Sequence, residues 1–127
     1  MQTQSIVHVV DDDKAICKSM QLLMKSANLS VQTYTSAREF LASYEPSKSG
    51  CLLVDIEMPD MDGLELQELL NRQKFTLPII IVAGYSDVSR VKQVMKAGAF
   101  DFIEKPIPMA ELLERVQKAL RFSQNRC

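Results

Sequence analysis

No excess of charge, no long apolar run and no internal repeat marks this 127-residue chain. Lysine and arginine number 15 against 16 aspartates and glutamates, a formal net of −1. That balance removes any bulk attraction to nucleic acid or to an anionic membrane surface. The longest apolar stretch, residues 79–83, falls far short of the roughly 20 residues that span a bilayer. The opening Met1-Gln2-Thr3-Gln4-Ser5 lacks the basic-then-apolar pattern of a secretory signal. Cys17, Cys51 and Cys127 form an odd set with no pair at the spacing of a metal knuckle. A reducing, cytoplasmic setting is the simplest account of them. Cys51, inside an apolar run, reads as a small buried hydrophobe. His8 has no Cys or His nearby with which to share a metal and is expected as a half-buried strand residue. Low-complexity tracts and long linkers are also missing. What remains is a length that suits one domain and a hydrophobic content of 46%, enough for a single core.

Within that length, short apolar runs alternate with helical patterns. Residues 6–10 read as a strand that stops at Asp11, Asp12 and Asp13. Ile16, Met20 and Leu23 then recur at helical spacing, with Asn28 as the C-cap. Residues 31–34 form a second strand, and Ser36 with Glu39 makes a capping box for a helix whose inner face is Ala37, Phe40, Leu41 and Tyr44. Residues 46–50 read as a loop. Residues 51–54 form an apolar third strand ending at Asp55. Leu66, Leu69 and Leu70 mark a third helix, and Pro78 opens a fourth strand over residues 79–82. Val88, Val91 and Met95 mark a fourth helix, with Gly98 near its end. Residues 100–103 form a fifth strand, closed by Lys105-Pro106, and Leu113, Val116 and Leu120 mark a fifth helix. After Leu120 the periodicity fades, so residues 1–122 are expected as the domain and 123–127 as a tail or the start of a linker. Arg115, Lys118 and Arg121 fit compensation of the last helix dipole, and the seven methionines read as core filler.

Five βα units, with strands 1, 3 and 4 as continuous apolar runs, predict a doubly wound α/β fold, a flavodoxin-like parallel sheet of order 2-1-3-4-5. In such sheets ligands bind beyond the carboxyl ends of the strands where the order reverses, here between strands 1 and 3. That edge receives Asp11, Asp12 and Asp13 from strand 1, Asp55 from strand 3, Ala83 from strand 4 and Lys105 from strand 5. Two like charges 4 Å apart cost roughly 4 kcal/mol at an effective dielectric near 20. Clustered carboxylates therefore take up protons or bind a cation. One lysine cannot neutralise three of them, whereas Mg²⁺ suits a site of few carboxylates and several waters. Beside such an ion, a carboxylate can serve as the nucleophile of phosphoryl transfer, with the lysine countering charge on the phosphoryl oxygens.

The runs Val9-Val10-Asp11-Asp12-Asp13, Leu53-Val54-Asp55-Ile56-Glu57-Met58-Pro59-Asp60-Met61-Asp62-Gly63, Met95-Lys96-Ala97-Gly98-Ala99 and Asp101-Phe102-Ile103-Glu104-Lys105-Pro106 strongly resemble bacterial response-regulator receiver domains of the CheY-like superfamily. The resemblance covers essentially the whole chain in order and looks closest to the FixJ-like branch, whose members usually carry a C-terminal DNA-binding domain. It implies that Asp55 is the phosphoacceptor, that Asp12 binds Mg²⁺ (or Mn²⁺) directly and Asp11 largely through water, and that the Glu57 carbonyl is a further ligand. Lys105 would contact the phosphoryl group, the Lys105-Pro106 bond would be cis, and Phe102 matches the switch aromatic. Asp13 matches no site position and reads as a charge favoured at a helix start. A sensor histidine kinase is the implied donor. The fourth helix, fifth strand and fifth helix are the implied output face, where a phosphorylation-linked homodimer would form. DNA would be met through an effector domain outside this chain.

The sequence departs from the family at Ala83, where Thr or Ser is usual. A lost hydrogen bond to a charged group is worth roughly 1.5–3 kcal/mol, comparable with a whole allosteric coupling of about 1–3 kcal/mol. Acceptance of phosphate should survive and the conformational response should weaken. Glu57 and Tyr85 flank the phosphoryl position and are expected to set its lifetime. Two rival readings are a phosphorylation-independent interaction domain, suggested by Ala83, and a small Mg²⁺-dependent aspartyl phosphohydrolase. Glu57 partly meets the second reading's need for another acid after the nucleophile, but the chain has no segment for a substrate-covering cap.

Overall fold

The computed structural model describes residues 5–44, 49–84 and 86–125. Ten elements alternate: β1 (Ile6–Val10), α1 (Lys14–Ser26), β2 (Ser30–Tyr34), α2 (Ala37–Ser43), β3 (Gly50–Asp55), α3 (Gly63–Arg72), β4 (Ile79–Ala83), α4 (Val88–Lys96), β5 (Asp101–Glu104) and α5 (Met109–Asn125). The strands pair in parallel in the order β2-β1-β3-β4-β5, the flavodoxin-like sheet expected. Every residue of β3 and β4, and all but the first of β1, is buried. Helices on both faces are the reason these strands are mainly apolar instead of alternating. One face packs Val10, Leu52, Val54 and Ile81 against Phe40 of α2, Leu66 and Leu70 of α3 and Val94 of α4. The other packs Val7, Val9, Ile80 and Val82 against Met20 and Met24 of α1 and Leu112, Val116 and Leu120 of α5. No helix among the described residues is long and apolar enough to cross a membrane.

Several local expectations shift. The C-cap of α1 is Ala27, and Asn28 follows it at φ 61°, a left-handed position that asparagine tolerates. The Ser36 box is half formed. Ser36 Oγ accepts the Glu39 N–H at 3.0 Å, but the Glu39 carboxylate accepts from Thr35 N–H at 2.6 Å instead of closing on Ser36. The reciprocal box sits at Asp62 and Glu65, at the start of α3. The loop expected over residues 46–50 lies largely outside the described residues, and Gly50 already belongs to β3. β5 begins one residue later than expected. Within α3, Leu66 and Leu70 are buried and Leu69 only partly so.

α4 departs further. Val88 is 63% exposed and Met95 38% exposed, while Val94 is its buried residue. The helical stripe is real, but Val88 and Met95 face outward and only Val91 packs, half-buried, against the core. α5 continues past Leu120 to Asn125, and Ser123 is buried, its hydroxyl accepting the Gly50 N–H at 3.0 Å. Gly50 has φ 148°, and a Cβ there would collide with the Ile6 carbonyl, so α5 docks where only glycine lets β1 and β3 approach. Arg115 does not serve the helix end. It bridges Asp101 at 2.8 Å and Glu111 at 2.7 Å, tying α5 to β5.

His8 is fully buried at 1% exposure, not half-buried. Its Nδ1 lies 3.1 Å from the Tyr34 hydroxyl, and burial lowers its pKa to about 4, so it is a neutral part of the core. Met20 and Met24 are core filler, whereas Met95 and Met109 are exposed. Cys51 is wholly buried and burial pushes its thiol up to about 12. Cys127 lies outside the described residues.

Candidate functional site

β1 and β3 are neighbours in the sheet, yet the chain leaves β1 for α1 on one face and β3 for α3 on the other. The carboxyl edge therefore opens into a crevice between them. Asp11 and Asp12 stand just past β1, and Asp55 is the last residue of β3. Each of the three offers a carboxylate oxygen within 4.8 Å of the others. Asp11 and Asp55 are buried and Asp12 is exposed. Asp13 turns away as the N-cap of α1, accepting the N–H of Ala15 at 2.9 Å and of Ile16 at 3.4 Å.

Asp55 uses both oxygens. Oδ1 accepts the Glu57 N–H at 3.0 Å, and Oδ2 accepts from Lys105 Nζ at 2.8 Å. Lys105 is held by its backbone as well, its N–H donating to the Ala83 carbonyl at 2.9 Å, and the Lys105-Pro106 bond is cis as expected. Burial pushes the Asp11 carboxyl up to about 6, and the charges of Asp55 and Asp12 add to the rise against the Asp13 N–H bond and Lys105. For Lys105, burial acts to lower the pKa, but the bond and charge of Asp55, with Asp11 and Glu57 beyond, reverse the sign and raise it. Three carboxylates thus share one ammonium. An oxygen-only donor set with surplus negative charge fits a hard divalent cation such as Mg²⁺.

The remaining expected residues lie around the rim. The exposed Glu57 carboxylate pairs with Arg90 at 3.1 Å and does not join the cluster of Asp11, Asp12 and Asp55. Ala83 ends β4, buried and without a donor, and Phe102 of β5 is 38% exposed. Both line a hollow of about 570 Å³ shared with Val88, Val91 and Met95, so the outward stripe of α4 and the Ala83–Phe102 pair form one apolar surface. Tyr85 lies outside the described residues.

Two groups had no sequence-based assignment. Arg90 joins α4 to the loop after β3 through Glu57 and Asp62, and bonds Asp87 at 2.8 Å. Its signal in the sequence is an Asp–Arg pair at i, i+3. Gln67 of α3 is buried and donates to the Val94 carbonyl at 3.1 Å, and Asn71 donates to the Ala97 carbonyl at 2.9 Å. Polar residues of α3, with Leu66 and Leu70 beside them, offered no cue to these bonds.

Residues 7–117 match the family model of the response regulator receiver domain. The response regulator protein TodT of Pseudomonas putida is 37% identical over 119 residues, which cover 94% of this chain and 52% of TodT. The transcriptional regulatory protein FixJ of Azorhizobium caulinodans is 40% identical over 114 residues, 90% of this chain and 54% of FixJ. The chain spans about half the length of these curated relatives. The crystal structure of FixJ-N superposes with a TM-score of 0.86 at 37% identity, covering 95% of this chain and 96% of that one. The fold, the order of its strands and these matches agree over nearly the full length, and the chain belongs to the response regulator receiver domain family.

Proposed function

We propose that this chain accepts a phosphoryl group on Asp55 from a sensor histidine kinase and relays the resulting state through α4, β5 and α5 to an output that regulates transcription. The observation that carries the reading is the buried Asp55 carboxylate, bonded to Lys105 at 2.8 Å beside Asp11 and Asp12. Asp11, Asp12, Asp55 and the Glu57 carbonyl would hold Mg²⁺, which when bound offsets the charge of the carboxylates and of the phosphoryl oxygens. An Asp55 carboxylate oxygen attacks phosphorus, a P–O bond forms, and the P–N bond to the donor histidine breaks. The leaving imidazole nitrogen keeps the electron pair and takes up a proton. Lys105, already oriented through its own backbone bond, shifts its ammonium from the Asp55 oxygen to the incoming phosphoryl oxygens. The output domain lies outside this chain, as the relatives' greater length suggests.

Ala83 favours a second reading of the response, though not of the chemistry. Without a hydroxyl at the end of β4, the phosphoryl group has no side-chain donor there to draw the following loop inward. The interaction surface of α4 and β5 would then operate largely without phosphorylation. Incubation with Mg²⁺ and phosphoramidate followed by intact mass tests the leading reading. One phosphoryl group should add to the wild-type chain and none to Asp55→Asn. Absence of the added mass, or its survival in Asp55→Asn, overturns the assignment.

A further inference from the structure

Arg90 stands in the first turn of α4, where a cation opposes the helix dipole. Helix stability is therefore a poor reason for its presence. Its guanidinium is instead aimed by a carboxylate that is itself fixed. Asp87 is buried, its Oδ2 accepts the Gly84 N–H at 3.0 Å, and its Oδ1 accepts from Arg90 at 2.8 Å. Burial works against ionisation of Asp87, but the bonds from Arg90 and Gly84 outweigh it and hold its carboxyl below the usual range. The fork so placed reaches Asp62 at 3.4 Å and Glu57 at 3.1 Å.

Glu57 is the residue this arrangement constrains. Its N–H is bonded to Asp55, so its backbone sits against the crevice, and its charge is felt by the Lys105 ammonium. Freed from Arg90, the carboxylate would add a fourth negative charge to a site already holding three against one ammonium. We propose that Arg90 is a positioning residue for phosphoryl transfer: it holds the Glu57 carboxylate on the α4 side, away from the cation and phosphoryl positions. The proposal rests on the phosphoacceptor reading of Asp55 for its consequence, but not for its geometry.

The test measures Mn²⁺ affinity by the electron paramagnetic resonance of the free ion, alongside the rate of phosphorylation by phosphoramidate. In that reaction the Asp55 oxygen bonds to phosphorus, the P–N bond breaks, and ammonia leaves from the zwitterionic donor. Arg90→Ala should bind Mn²⁺ more tightly by up to about fivefold, the upper end for one exposed ion pair, and should accept phosphate several-fold more slowly. Both changes should vanish when Glu57→Gln is the background. Arg90→Met, which keeps the aliphatic stem, carries the same expectations if Arg90→Ala does not fold. Unchanged Mn²⁺ affinity, or a change that persists in the Glu57→Gln background, overturns the proposal, since a role confined to α4 packing would not depend on Glu57. Failure of wild-type phosphorylation with the Mn²⁺ effect intact would overturn the Asp55 reading and leave the positioning of Glu57 standing.

Discussion

The crevice and the α4 surface lie side by side and are built in opposite ways. Asp11 and Asp55 are carried on the ends of β1 and β3, which have backbone bonds on both sides, and Lys105 on the end of the edge strand β5, which is bonded along the wholly buried β4. α4 rests on one buried side chain, Val94, and on amide bonds from Gln67 and Asn71 to its carbonyls. It turns Val88 and Met95 toward the surface beside Phe102, with Val91 half-buried between them and the core. Groups that must hold fixed distances are placed on the stiffest part of the fold, and a surface that must change partners on the part with least packing to lose.

The contrast can be broken most forcefully at the two outer helices. Leu112 of α5 is fully buried, and Leu112→Ala should lower stability by about 3 kcal/mol, within the 2–5 kcal/mol of such truncations. Val88→Ala on α4 should stay within about 0.5 kcal/mol. Urea melts decide this, and equal losses would mean that α4 packs as firmly as α5.

A second probe asks whether the crevice is strained by its own charge. In the folded chain Asp11 holds its proton up to about pH 6, against about 3.8 ordinarily. The folded state therefore binds more protons than the unfolded one between those values, and stability falls as pH rises through that window. Asp11→Asn lacks this loss. In metal-free buffer it should gain on the wild type by about 2 kcal/mol between pH 4 and pH 6.5. A constant difference across that range would show that the buried carboxylate is relieved in some other way.

The third probe sharpens the boundary between chemistry and response. Ala83→Thr should leave the phosphoramidate reaction near the wild-type rate. It should strengthen phosphorylation-linked dimerisation about tenfold or more, as expected of a charge-assisted hydrogen bond of about 1.5–3 kcal/mol. Analytical ultracentrifugation of both phosphorylated chains measures this, and equal responses would remove Ala83 from the account.

The sheet was legible because burial on both faces leaves apolar runs at β1, β3 and β4 that do not alternate with polar residues, His8 alone interrupting β1. The crevice was legible because topology alone brings Asp11, Asp12, Asp55 and Lys105 to one edge. Direction was harder to read. Val88, Val91 and Met95 repeat at helical spacing whether they face the core or the solvent, and that spacing does not separate exposed Val88 and Met95 from half-buried Val91, nor reveal the seam that Gln67 and Asn71 of α3 make with α4. His8 is polar by type, yet an aromatic cage of Tyr34, Phe40 and Tyr44 surrounds it, assembled from positions 26 to 36 residues away. For Arg90 only the pair with Asp87 was within reach of local spacing, because Glu57 and Asp62 precede it by 33 and 28 residues.

The bond from the Lys105 N–H to the Ala83 carbonyl bears on how such a protein can diverge. That bond uses the main chain of position 83 and asks nothing of its side chain. Substitutions at 83 can therefore alter how strongly the outer surface answers without moving the ammonium away from Asp55. A lineage carrying this architecture can lose its response and regain it by a single residue change, while the older chemistry is inherited intact.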